Sequence, residues 1–203
     1  MPGVGIIDAW VNLLRPVEAH AGGERIFGRY GQLAALREGT RPEQLVAEMD
    51  AVGVAIAGLC STDAEWVAAT AARYPGRFFG IVSPDPTDIM GCLRTIEHCV
   101  REYGFKAVKI EPFLWGKPPT DRMYYPVYAK CVELDITFTT QIGHTGPDVY
   151  PSEVGRPLYL DQVALDFPAL RIVGGHIGWP WHEEAMAVAW KHQHVYQIGR
   201  AHV

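Results

Sequence analysis

The 203-residue chain is 48% hydrophobic and 20% charged, a globular balance that excludes a disordered or fibrous protein. Its 18 Lys and Arg against 23 Asp and Glu give a net charge of −5, which argues against nucleic acid as a partner because phosphate binding needs a basic surface. No run approaches the roughly 18 apolar residues of a membrane span, and Met1-Pro2-Gly3-Val4-Gly5 has no basic leader region, so a cytoplasmic protein without a membrane partner is expected.

Short apolar runs predict strands at Gly5–Val11, Ala55–Leu59, Phe78–Val82, Ala107–Ile110, Thr137–Gln141, Ile172–Gly174 and Val195–Tyr196. They lack strict alternation, as strands covered on both faces do. Helical patterns fill the gaps at Pro42–Ala51, Ala64–Arg73, Ile89–Glu102, Pro126–Glu133, Leu158–Asp166 and His182–His192. Thr40-Arg41 before Pro42 reads as a cap and first turn, and Ser61-Thr62-Asp63 as the cap of the next helix. Ala19–Thr40 has no clear strand pattern and reads as a long loop over the first strand's end. Cys60, Cys92, Cys99 and Cys131 form no Cys-x-x-Cys pair and read as buried thiols.

After the first strand, starts at 55, 78, 107, 137, 172 and 195 lie 23 to 35 residues apart, the rhythm of parallel βα units. A doubly wound sheet would gather its polar residues at one switch point. Here polar clusters follow five different strands: Asp8–Asn12, Ser83–Asp85, Lys109–Pro112, Gln141–Gly146 and Gly174–Gly178. That pattern predicts a (β/α)₈ TIM-type barrel, whose strand-end loops converge at one mouth. Gly174-Gly175-His176-Ile177-Gly178 does not fit a dinucleotide fingerprint, and no phosphate-binding Gly-x-x-x-x-Gly-Lys-Ser/Thr occurs. Seven predicted strands fall one short of a barrel, and Ile198-Gly199-Arg200-Ala201-His202-Val203 reads as a translated stretch of a common sequencing adapter. The expectation is one barrel domain over 1–197, truncated after about seven strands, with a non-native tail over 198–203.

The segments Gly5–Ala9, Phe105–Pro112, Tyr124–Leu134 and, most specifically, Phe167-Pro168-Ala169-Leu170-Arg171-Ile172-Val173-Gly174-Gly175-His176-Ile177-Gly178 resemble the amidohydrolase-related family. That family includes aminocarboxymuconate-semialdehyde and resorcylate decarboxylases. The resemblance implies a divalent metal such as zinc, held by His-x-His after strand one, a His ending strand five and a late Asp. Here the His-x-His places hold Trp10 and Asn12, the strand-five place holds Gln141 with His144 three residues on, and the late Asp would fall beyond Val203. Indole offers no ligand lone pair, and amides offer only neutral oxygens. The metal site is therefore not carried over, and no stoichiometric zinc is expected.

His176 matches the family's post-strand-six His, which the resemblance implicates as proton donor or polariser; imidazole suits that work near neutral pH. The plain alternative is a histidine that pins the Gly-rich turn. Asn12, Glu111, Gln141 and His144 are the candidate substrate-binding residues. Glu111 could equally be a rim salt bridge to Lys109 or Arg122. Trp115, Trp179 and Trp181 could wall an aromatic pocket, although packing is the commoner role of aromatics in such folds. The expected function is hydrolysis or decarboxylation of a small carboxylated or carbonyl substrate. A non-catalytic barrel that binds a small molecule is the alternative, and a homo-oligomer is left open.

Overall fold

Parallel strands buried on both faces need helices outside the sheet, and the chain supplies them in strict alternation. The computed structural model describes residues 5–16 and 37–199. In order it gives β1 (Ile6–Asn12), α1 (Pro42–Val52), β2 (Val54–Ser61), α2 (Ala64–Arg73), β3 (Phe78–Val82), α3 (Ile89–Tyr103) and β4 (Ala107–Ile110). There follow α4 (Tyr125–Glu133), β5 (Thr137–Gln141), α5 (Tyr159–Asp166), β6 (Ile172–Gly175), α6 (His182–Lys191) and β7 (Val195–Ile198). Short 3₁₀ turns lie at Pro112–Trp115, Glu153–Gly155 and His176–Gly178. The expected long loop falls mostly on residues 17–36, outside the described residues.

All seven strands join one sheet in chain order, each parallel to the next. A doubly wound sheet reverses its order at a switch point; this one never does, and the fold is of the (β/α)₈ barrel type. β7 reaches Ile198, one residue into the expected tail, and residues 200–203 lie outside the described residues.

Two apolar layers hold the sheet. Outside, Val67, Ile96, Tyr128, Cys131, Leu160, Val163 and Val188 from the helices pack on Val108, Phe138 and Ile172. Inside the curl, Trp10, Cys60, Ile81 and Ala107 form a second, smaller cluster. Burial pushes the Cys92 thiol up to about 12 and the Cys99 thiol to about 11, and raises Cys131 further, so these three are inert.

Asp63 caps α2 as read, accepting from the Trp66 N–H at 2.9 Å. The Thr40-Arg41 cap is corrected: Arg41 is the N-cap residue of α1 but makes no side-chain cap bond. The Thr40 hydroxyl is occupied instead, accepting from the Leu14 N–H at 3.0 Å and donating to the Asn12 carbonyl at 3.3 Å. Pro42 needs no such cap on its own nitrogen, which has no N–H to satisfy.

Asp161 on α5 receives Lys191 Nζ at 2.8 Å and His192 Nε2 at 2.6 Å, tying α5 to the end of α6. The hydrogen bond from Lys191, then that from His192, hold its carboxyl below the usual aspartate range. A depressed carboxyl stabilises the fold above its unfolded value of about 3.9 and loses that contribution as pH falls through the folded value. In thermal melts from about pH 6 down to pH 2, Asp161→Asn should therefore melt below the parent at the upper end, the gap closing at the lower end. A gap independent of pH would refute this account.

Candidate active site at the strand ends

Residues ending parallel barrel strands face a common mouth, and here a lysine organises them. Lys109 is the sole charged residue of β4, a strand buried throughout, and is itself 8% exposed. Its Nζ lies 3.2 Å from Glu111 Oε2, 3.4 Å from Asn12 Oδ1 and 5.1 Å from the Trp10 ring centre. It also hydrogen-bonds Cys60 at the end of β2. Burial alone would push its pKa down; the electrostatic and hydrogen-bonding contacts with Cys60 and Glu111 outweigh this and hold the ammonium above the usual lysine range.

Asn12, the last residue of β1, is the second hub. Its Oδ1 accepts from Trp10 Nε1 at 3.1 Å and Cys60 Sγ at 3.1 Å as well as from Lys109. The Trp10 indole lies against β6 because residue 175 is glycine: a Cβ there would stand 2.5 Å from Trp10 Cζ3.

His176 follows β6 directly. Its backbone is left-handed at φ 71°, and so is that of Ile177 at φ 50°. For residues other than glycine such conformations cost about 1–3 kcal/mol and persist where surrounding structure enforces them. The half-buried imidazole meets the Trp10 ring edge-on, centres 5.8 Å apart. A cavity of ≈730 Å³ opens beside these groups, with Trp10, Asn12, Gly175, His176 and Gln197 among its lining residues.

The structure thus brings Asn12 and Glu111 together through Lys109, and adds His176 through Trp10. The rim salt bridge of Glu111 is to Lys109. Gln141 and His144 sit instead in a neighbouring loop network. Gln141 Nε2 donates to the His144 carbonyl at 3.2 Å and to Thr145 Oγ1 at 3.3 Å, and His144 Nδ1 lies 3.0 Å from Ser152 Oγ. Trp115, Trp179 and Trp181 do not line the cavity, in line with the packing alternative rather than the aromatic wall. Trp179 packs edge-on against His144 instead, and Arg156 stacks on Trp181. Sequence reading missed Lys109 and Cys60 as site residues; the available signal was one charge inside an apolar strand. Among the described residues, no three His, Cys, Asp or Glu side chains converge as metal ligands.

An amidohydrolase family model matches residues 7–201. A 2-keto-4-carboxy-3-hexenedioate hydratase from Sphingobium sp. is 28% identical over 131 residues, 53% of this chain. That match spans only 38% of the hydratase. An uncharacterised TIM-barrel protein from Bordetella bronchiseptica superposes with a TM-score of 0.73 at 26% identity, over 95% of this chain and 74% of that one. A 5-carboxyvanillate decarboxylase from Novosphingobium aromaticivorans, solved with manganese and 3-methoxy-4-hydroxy-5-nitrobenzoic acid, gives a TM-score of 0.70 at 19% identity, covering 92% and 68%.

The loop after β5 turns on Gly143, at φ 89°, where a Cβ would stand 2.5 Å from the Trp179 carbonyl oxygen. Gly143→Ala should destabilise the protein by more than about 1 kcal/mol, the floor for Ala at a positive-φ glycine. Hydrogen exchange should quicken at the His144 N–H, which bonds the Trp179 carbonyl. Unchanged exchange at residues 143–145 would contradict this.

Proposed function

The chain belongs to the amidohydrolase family, and on that premise we propose that it is an enzyme performing decarboxylation or hydrolysis on a small carboxylated or carbonyl substrate. His176 moves the proton. In decarboxylation the bond between carbon and carboxylate breaks, CO₂ leaves, the electron pair stays on carbon, and the His176 imidazolium protonates that carbon. In hydrolysis the neutral imidazole takes a proton from the attacking water and returns it to the leaving group. Asn12 and Glu111 orient the substrate from the floor of the mouth. Gln141 and His144 act from its rim, through the loop they brace.

The observation that carries this reading is the backbone of His176. It is left-handed, which sets the direction of the Cα–Cβ bond, and the ring packs against Trp10. Strain held at a strand end beside a cavity is a feature that clusters at functional sites, and it supports a positioned proton-transfer group here. The relatives support the substrate class: the names of the hydratase and the decarboxylase both carry a carboxylate.

The test is a panel of hydroxylated aromatic and 2-keto carboxylic acids, followed by CO₂ release and by product chromatography. Turnover of at least one member is expected. His176→Asn should lower it by about 10²–10⁴, the usual scale for general acid–base catalysis, while melting close to the parent. Saturable binding without turnover would favour a non-catalytic binding barrel. Equal turnover in His176→Asn would remove this residue from the reaction.

A further inference from the structure

Four groups from on or just beyond three strands close around one nitrogen. An ammonium has three N–H donors and no acceptor. Lys109 Nζ meets three acceptors: Glu111 Oε2, Asn12 Oδ1 and the Cys60 sulfur. The face of Trp10 covers another side at 5.1 Å, a cation–π arrangement. Carboxylate, thiol and amide oxygen are groups that otherwise bind metal ions. Here they bind an amine that the chain itself supplies.

We infer that the Lys109 ammonium is the resident cation of this barrel mouth and stands where the family pattern places a divalent metal. Asn12 and Trp10 occupy the two strand-one ligand places. The oxygen of one lies 3.4 Å from Nζ, and the ring of the other stacks over it. The residues present do not fit a divalent ion. Any ion near Asn12 Oδ1 would lie close to a fixed positive charge whose own side chain is buried, where solvent screens it less. The indole carries no lone pair for a metal. Lys109 is then a positioning residue. Its charge holds Asn12 and Glu111 in place, and it offers one tethered positive charge where a metal would offer two. This inference rests on the family pattern and on the geometry, not on the reaction proposed above.

The experiment uses the whole chain and needs no turnover. Parent protein purified without chelator is analysed for metals, then melted with EDTA, with MnCl₂ and with ZnCl₂. Substoichiometric metal and one melting temperature throughout are expected. Lys109→Met removes the charge and leaves Asn12, Cys60 and Glu111 without their cation. It should melt lower than the parent and be raised by ZnCl₂ or MnCl₂. Lys109→Arg keeps a cation and should be as indifferent to metal as the parent. Stoichiometric manganese or zinc in the parent, or a melt raised by either ion in the parent or in Lys109→Arg, overturns the inference. A folded Lys109→Met that ignores both ions also overturns it, because the cage would then have no affinity for a cation. Should Lys109→Met not fold, the parent and the arginine variant still decide.

Discussion

A positive charge taken out of water costs several kcal/mol unless partners replace the hydration shell. Lys109 is 8% exposed, and it finds its partners on or just beyond three different strands. On a flat sheet β1 and β4 would lie about 14 Å apart, three spacings of about 4.8 Å. Side chains standing perpendicular to such a sheet would not meet. Asn12 Oδ1 and Lys109 Nζ are 3.4 Å apart, so the contact exists only because the sheet curls. The charge and the curvature require each other. A sheet that opened would strand an ammonium, and a neutral residue at 109 would remove one reason for the strands to close.

The same requirement fixes register. A shift of one residue in β4 would turn Lys109 outward and bring an apolar neighbour inward. Asn12 closes β1 with its backbone as well, because its carbonyl accepts from Thr40 at 3.3 Å. His176 reaches the cluster through one indole, which touches Lys109 on its face and the imidazole at its edge. The proton-transfer candidate and the buried cation are therefore parts of one packed unit, while Gln141 and His144 belong to the loop that flanks it.

Much of the scaffold was legible in the residues. The bounds of β3, β4, β5 and α2 follow from apolar runs and from one aspartate cap, because these are local effects. The barrel followed from polar clusters after five strands, which the consecutive strand order bears out. What was not legible depends on contacts between distant segments. Thr40 looks like a cap until Leu14 takes its hydroxyl from 26 residues away. Lys109 looks like a rim residue beside Glu111 until β1 and β2 are brought across the bore. Cys60 reads like the other three thiols, and only its neighbours distinguish it. Gln141 was assigned toward substrate by family position, and the loop that engages its amide cannot be read from strand periodicity.

Trp10 also has an optical consequence. Of the six tryptophans it alone is buried, at 6% exposure, while Trp66, Trp115 and Trp181 are half-buried and Trp179 and Trp190 are exposed. Its indole N–H is committed to Asn12, an ammonium lies over its face, and an imidazole lies at its edge. Changes in the charge state of either neighbour are therefore felt directly by the one tryptophan that is shielded from solvent. The chain carries its own reporter chromophore in the middle of its candidate active site.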